Sequence, residues 1–106
     1  MYFKIEWHPL ASKDYKNLDG SQRIQIDKAL KKLLKLGGNA GEELQRNLKG
    51  YRRLKQRRLG LRIIFSVEKK TGIIEIITII AIGKPDNKHV YKEAFRRIRL
   101  IDDKKN

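Results

Sequence analysis

The segment LRIIFSVEKKTGIIEIITIIAI, residues 61–82, decides the fold of this chain. Its two near-continuous runs of Ile, Val and Phe, residues 61–67 and 73–82, are typical of central β-strands. The sequence EKKTG lies between them and provides Gly72 for a tight turn, which predicts an antiparallel hairpin. We therefore expect a sheet built around these two strands, with helices covering it on one face.

The N-terminal third predicts one strand and two helices. Residues 2–7, YFKIEW, alternate apolar and polar side chains as a half-buried strand does, and Pro9 suits the first turn of a helix. Residues 22–36 then carry leucine and isoleucine at helical spacing, with Ser21 as the predicted N-cap and Gly37 as the stop. The predicted inward face consists of Ile26, Leu30, Leu33 and Leu34.

The remaining segments complete an α+β fold. The stretch before residue 51 is interpreted as a long loop with a short helical turn around Leu44. Residues 51–58 predict a further strand that turns at Gly60, and residues 89–101 predict a C-terminal helix. The expected order is β-α-α-β-β-β-α, a small antiparallel sheet with two N-terminal helices packed on one face and a C-terminal helix. Residues 1–106 form a single domain in this interpretation, and residues 99–106 a frayed tail.

The charge of the chain points to an anionic partner. It has 26 Lys and Arg against 12 Asp and Glu, a formal charge of +14. Such an excess attracts polyanions and speeds encounter with them, whereas a surface that serves solubility alone works as well with mixed signs.

Several classes of protein are excluded. The chain has no Cys, which rules out a disulfide scaffold and thiol chemistry and fits a reducing cytoplasm. The N-terminus lacks the pattern of a signal peptide, and the longest apolar segment is far short of the ~20 residues that span a bilayer, so we expect no membrane partner. The two histidines are too far apart to suggest a metal site, and no motif calls for a small-molecule cofactor.

The strand at residues 51–58 predicts a cationic surface. Arg53, Lys55 and Arg57 alternate, so on a strand they share one face, and Arg62 can return beside them after a turn at Gly60. A run of one sign costs self-repulsion unless an anion offsets it, which favours phosphate binding. A solvated edge strand protected by Lys and Arg is the alternative.

A second cluster follows the most hydrophobic strand. Lys84, Lys88, His89 and Tyr91 lie within eight residues. An aromatic ring beside cations is the usual arrangement for stacking an unpaired base, and a histidine can act as acid or base near neutral pH. The alternatives are a helix residue half-buried against the sheet for Tyr91 and a solvated helix start for His89.

Taken together, these segments resemble the RelE branch of the RelE/ParE toxin superfamily, found in bacterial and archaeal toxin–antitoxin modules. The resemblance covers roughly residues 2–98. It rests on the element order and on the motifs Leu-x-Gly (48–50), Gly-x-Arg (60–62), Ile-Gly-Lys (82–84) and Val-Tyr-x-Glu-Ala (90–94).

The resemblance implies a toxin that cleaves messenger RNA in the ribosomal A site, with ribosome (16S rRNA), messenger RNA and an acidic antitoxin as partners. In that chemistry the 2′-hydroxyl of the RNA attacks the adjacent phosphate. By this analogy Lys55 is the base, Arg53 and Arg62 hold the phosphate, and Tyr91 stacks on the nucleotide. Arg57, Lys84 and Lys88 are further RNA-binding candidates.

One position departs from the family pattern. Pro85 stands directly after Gly-Lys, where the RelE branch can carry an arginine acid. His89 or Lys84 can substitute for that acid, so the sequence leaves it unassigned. Two other functions stay open: a ParE-like poison of DNA gyrase, and a basic RNA-binding domain without catalytic activity.

Overall fold

The computed structural model describes residues 2–69, 72 and 74–105. The elements are β1 (Tyr2–Trp7), α1 (Pro9–Lys16), α2 (Gly20–Leu36), β2 (Glu42–Glu43), β3 (Arg52–Gln56), β4 (Leu61–Lys69), β5 (Ile74–Gly83) and α3 (His89–Lys105). Short 3₁₀ turns lie at Gly37–Asn39, Arg46–Leu48 and Asp86–Lys88. The predicted α+β class is confirmed.

Within the described residues, the strands form one sheet in the order β1-β5-β4-β3-β2. The β4–β5 hairpin is antiparallel as predicted, and β1 lies at one edge of the sheet. β1 runs parallel to β5, however, so the sheet is mixed rather than purely antiparallel. Two parallel neighbouring strands need a long connection between them in the chain. Here that connection begins with α1 and α2, which follow β1 in the sequence.

The loop before β3 differs from its prediction. Instead of a helical turn around Leu44, residues Glu42–Glu43 form a two-residue strand, and the 3₁₀ turn follows at Arg46–Leu48. Two adjacent glutamates show neither β-propensity nor alternation, so no local pattern indicated this strand. It exists because the free edge of β3 offers backbone partners, Arg53 for Glu42 and Arg52 for Glu43.

A β-bulge sets which side chains of the hairpin share a face. Ile64 pairs with Ala81 and Phe65 pairs with Ile79, which leaves Ile80 as the extra residue of β5. Past the bulge the pairing resumes, and Arg62 lies opposite Gly83.

Helices cover both faces of the sheet, not one as expected. One core, which includes Ile63, Phe65 and Ile77, packs against α1 and α2. A second core on the other face includes Ile64 and Ala81 and packs against α3, with Leu48 of the 3₁₀ turn joining it. The near-continuous apolar sequence of β4 and β5 is the physical reason, because strands buried on both faces lose the alternation of half-buried ones.

The N-cap and the buried face of α2 differ in part from their prediction. Asp19, not Ser21, is the N-cap: its carboxylate accepts a hydrogen bond from the Gln22 backbone N–H at 2.8 Å, and the Gln22 side chain accepts one from the Asp19 N–H at 3.0 Å. The Ser21 hydroxyl donates to Asp19 instead. Of the predicted inward face, Leu34 is 43% exposed and does not belong to the core.

A buried ion pair joins elements from both faces. The guanidinium of Arg97 in α3 donates to both carboxylate oxygens of Asp14 in α1, at 2.6 and 3.0 Å. Asp14 also accepts from the backbone N–H of Ile82, where β5 continues past the end of its pairing with β1. This contact links α1, β5 and α3.

α3 continues past the end predicted for it. It runs to Lys105, so residues 99–105 of the predicted frayed tail are helical, and Asn106 lies outside the described residues. In the described part of the chain, no helix is long and apolar enough to cross a membrane.

Candidate functional site

The predicted cations of β3 and β4 lie together on the face that α3 partly covers. Lys55 pairs directly with Arg62 across the two strands, and Arg53 pairs with Ile64 of the second core. The side chains of Arg53 and Lys55 are 29% and 27% exposed. Three positive groups are thus held half-buried at one place by strand register. We call Arg53, Lys55 and Arg62 the cation cluster.

Glu42 lies against this cluster, and sequence reasoning missed it. Its carboxylate accepts a hydrogen bond from Arg53 Nη2 at 3.4 Å and lies 3.3 Å from Lys55 Nζ. The hydrogen bond from Lys55, with the charges of Lys55 and Arg53, lowers the pKa of Glu42 below its ordinary value. The carboxylate is therefore ionised at neutral pH. No local signal could reveal it, because Glu42 reaches Arg53 only through the β2–β3 pairing.

Gly41 permits that pairing. It has φ of +77°, and a Cβ built on it would lie 2.2 Å from the carbonyl oxygen of Arg53. Any side chain at this position would collide with the β3 backbone, since real Cβ atoms do not approach so closely. Arg52, on the other face of β3, donates to the carbonyl oxygens of Ala40 and Gly41 at 3.3 and 3.1 Å. Gly41 and Arg52 together hold Glu42 beside the cluster.

Tyr91 connects α3 to the cluster. Its hydroxyl accepts a hydrogen bond of 3.1 Å from Arg53 Nη1, across 38 residues of sequence. This bond is the largest cause of the raised pKa of Arg53, and the nearby Glu42 carboxylate acts in the same direction. The tyrosine ring is half-buried against the second core. The structure thus brings Tyr91 to the cations that the sequence placed on the strand.

Two guanidinium groups keep unused donors at this place. The Nε atoms of Arg53 and Arg62 are buried and have no hydrogen-bond acceptor among the described residues. Arg62 uses Nη1 to donate to the carbonyl oxygen of Leu61 at 3.1 Å. A buried donor without an acceptor is costly, and such groups are found at functional sites.

His89 and Lys84 line a different cavity. It has a volume of about 600 Å³, and its wall also includes Gly83, the residue paired with Arg62. His89 begins α3 two residues before Tyr91, and side chains at this spacing do not face each other on a helix. The cavity of His89 therefore adjoins the strand position of Arg62, while Tyr91 faces Arg53.

The last two RNA-binding candidates lie in separate places. Lys88 lines a groove with Tyr91. Arg57 is exposed in the turn after β3, which ends at Gln56, so it does not share the strand face of Arg53 and Lys55 as predicted. The reason is local: the Gln56 side chain accepts from the Leu59 N–H at 2.9 Å and closes the turn early.

The arrangement suits an anion rather than a metal. Among the described residues, no group of three or more His, Asp or Glu side chains lies close enough together to hold a metal ion. Half-buried cations beside an aromatic ring are instead suited to a phosphodiester with an attached base.

Comparison of the chain with protein families and solved structures finds toxins of toxin–antitoxin systems. A family model described as the ParE toxin of the type II toxin–antitoxin system parDE matches residues 5–84. The chain is similar to a free double mutant of the E. coli toxin RelE, with 26% identity, a TM-score of 0.74, and coverage of 92% of this chain and 99% of that one.

Two solved toxin–antitoxin complexes share the fold. For the intact E. coli RelBE complex the identity is 23% and the TM-score 0.62, over 79% of this chain and 96% of that one. For the RelBE2 complex of Mycobacterium tuberculosis they are 16% and 0.65, over 79% and 99%. A search of curated proteins gives no significant match.

Proposed function

Because the chain belongs to the ParE toxin family of type II toxin–antitoxin systems, within the RelE/ParE superfamily, we propose that this toxin cleaves messenger RNA in the ribosomal A site. One observation carries the proposal: the cation cluster lies half-buried beside an aromatic ring, with Arg53 hydrogen-bonded to Tyr91, an arrangement suited to an anion. A protein that only binds another protein does not require that combination.

The reaction uses the RNA as its own nucleophile. The 2′-oxygen attacks the adjacent phosphorus, the bond from phosphorus to the 5′-oxygen breaks, and a 2′,3′-cyclic phosphate and a 5′-hydroxyl result. The proton of the 2′-hydroxyl passes to a base, and an acid protonates the departing 5′-oxygen. Negative charge grows on the phosphate in the transition state. The guanidinium groups of Arg53 and Arg62 offset it, because fixed charges placed where charge develops lower the barrier.

Lys55 and Glu42 together provide the base. Lys55 is opposite Arg62 and therefore beside the phosphate position. Glu42 lies 3.3 Å from its ammonium and is ionised at neutral pH, so its carboxylate can accept the proton of the 2′-hydroxyl directly. The base is thus a pair of groups rather than the single lysine implied by the family resemblance.

His89 is the proposed acid. Pro85 cannot donate a proton, and His89 lies in the cavity bounded by Gly83, next to the strand position of Arg62. In this proposal His89 donates its proton to the leaving 5′-oxygen. Lys84, in the same cavity, is the other candidate.

The activity is tested with programmed ribosomes. Purified protein is added to ribosomes paused at defined codons, and the ends of the message are mapped by primer extension. We expect cuts in the A-site codon that require the ribosome. If a known ribosome-dependent toxin cuts in parallel and this protein does not, the proposal is wrong.

A gyrase poison is the second candidate. The family model that matches is the ParE toxin, and Pro85 removes the arginine acid that the RelE branch can carry. Gyrase-dependent DNA breaks without RNA cleavage would favour this function. Salt-dependent RNA binding without cleavage or DNA breaks would instead indicate a non-catalytic RNA-binding domain.

The proposed partner is a short acidic antitoxin. Related structures include toxin–antitoxin complexes, and the formal charge of +14 favours an acidic chain that orders on binding. Action on the ribosome places the protein in the cytoplasm. Neither the proposed RNA cleavage nor the proposed binding of an antitoxin requires a cofactor.

A further inference from the structure

We propose that the groove beside Tyr91 binds a second, unpaired RNA base, with Phe95 as its stacking platform. The groove has a volume of about 390 Å³, and its wall includes Arg46, Asn47, Lys88, Tyr91, Lys92 and Phe95. We call it the flanking groove. The inference rests on the proposed function in one respect, that the ligand of the cation cluster is single-stranded RNA.

The two rings are spaced for consecutive contacts. Tyr91 and Phe95 are four residues apart on α3, which places them on one helix face and roughly 6 Å apart along its axis. Both pack against the second core and are half-buried, so each has a fixed edge and a side open to the groove. The guanidinium of Arg99 lies 5.9 Å from the centre of the Phe95 ring. Aromatic rings and guanidinium planes are the surfaces on which unpaired bases stack.

The charge of the groove is of one sign. Arg46, Lys88 and Lys92 line it, and none of its lining residues within the described part of the chain carries a carboxylate. In the same part of the chain, these three cations have no ion pair, whereas Arg53 and Lys55 are paired with Glu42. Unpaired cations interleaved with rings are suited to the phosphates and bases of a single strand.

Two of these cations are held by unusual backbone. Arg46 and Lys88 have φ of +57° and +59°, a conformation that costs free energy in residues other than glycine. Such strain persists where the surrounding structure imposes it, and it is concentrated at functional sites. Here it fixes the backbone of two cations that line the groove, at the 3₁₀ turns Arg46–Leu48 and Asp86–Lys88.

The groove is continuous with the cation cluster. Tyr91 belongs to both, because its hydroxyl accepts from Arg53 while its ring lines the groove. An RNA strand whose reacting phosphate lies at Arg53 therefore passes over Tyr91 and onto Phe95. The Asn47 amide can hydrogen-bond to a base edge, which would give the site a preference for particular bases.

The test measures binding, not cleavage. Single-stranded RNAs of three and six nucleotides, 2′-O-methylated so that they cannot be cut, are titrated into the wild type, Phe95→Leu and Phe95→Tyr. Loss of one stacked base weakens binding by about tenfold. We expect Phe95→Leu to bind the longer RNA about tenfold more weakly, with the shorter RNA unaffected, and Phe95→Tyr to bind as the wild type does.

Three results would overturn the inference. They are equal binding of the longer RNA by Phe95→Leu and the wild type, equal weakening of both RNAs, or loss of binding to an acidic peptide only. Thermal melting confirms that each variant is folded. Ribosomal cleavage by a protein whose Phe95→Leu variant binds RNA normally would contradict this inference alone. A length-dependent loss without any cleavage would support it and contradict the catalytic proposal.

Discussion

At the residue scale, Glu42 is the unexpected member of the site. It places an ionised carboxylate between two cations that would otherwise be free for phosphate. The cations themselves could be predicted, because alternation along a strand fixes which side chains share a face. The position of Glu42 could not be predicted, because it depends on the pairing between β2 and β3. That pairing in turn requires a residue without a side chain at Gly41.

Replacing Glu42 with glutamine separates its two effects. Glu42→Gln removes the charge but keeps the shape, so we expect RNA to bind a few-fold more tightly because two cations are released. Cleavage should fall on the order of a hundredfold, because a proton acceptor is lost. Single-turnover kinetics on programmed ribosomes, with binding measured separately, checks both.

Glu43→Gln is the matched control for that experiment. It changes the net charge equally, but Glu43 is the next residue of β2, faces the other side of the sheet, and pairs with Arg52 at 3.9 Å. Its cleavage rate should equal that of the wild type. If Glu42→Gln cleaves RNA at the wild-type rate, Glu42 is not part of the catalytic base.

At the element scale, long-range contacts decide how the helices are placed. The β4–β5 hairpin and the C-terminal end of α2 follow from hydrophobic pattern and glycine, whereas the parallel pairing of β1 with β5 was not predicted. The near-continuous apolar runs of β4 and β5 indicate strands that are buried on both faces. They do not indicate that α3 is the helix that covers the second face. The Asp14–Arg97 pair spans 83 residues, and nothing near either residue in the sequence marks it as a partner.

This pair is predicted to be important for stability. Arg97 is 6% exposed and also donates to the carbonyl oxygen of Ile80 at 2.9 Å. Removing it leaves the Asp14 carboxylate partly buried without its partner, so Arg97→Met should lower the free energy of unfolding by about 3 kcal/mol. Urea denaturation measures this, with exposed Arg58→Met as the control. A loss below about 1 kcal/mol, as for a surface pair, would contradict the buried role.

At the scale of the whole molecule, charge acts on stability and on binding alike. The excess of cations strengthens attraction to RNA and destabilises the free fold through self-repulsion. Carboxylates counter this at particular points: Asp19 caps α2, Glu42 pairs with the cation cluster, and Glu93 pairs with Arg96 and Arg97. Composition predicted the excess, but only the fold shows where each carboxylate acts.

Acid should therefore destabilise the protein. The hydrogen bond from the Gln22 N–H lowers the pKa of Asp19 below 3.8. Burial raises the pKa of Glu93, but the hydrogen bonds and charges of Arg96 and Arg97 outweigh it and bring the pKa below 4.5. The unfolded chain then binds more protons than the folded one, so stability is full above about pH 4.5 and falls as acid protonates these groups. Urea unfolding at about pH 6 and about pH 3 should show that loss, and equal stability at both would contradict it.

The most direct test of the proposed catalytic site is the effect of Arg62→Ala on A-site cleavage, measured beside Lys32→Ala. Both variants lose one positive charge, but Lys32 lies exposed on α2 and Arg62 lies opposite Lys55 in the cation cluster. We predict that Lys32→Ala cuts the message at the wild-type rate, while Arg62→Ala remains folded by thermal melting and loses cleavage by on the order of a hundredfold or more. Equal cleavage by the two folded variants would contradict the assignment of the site.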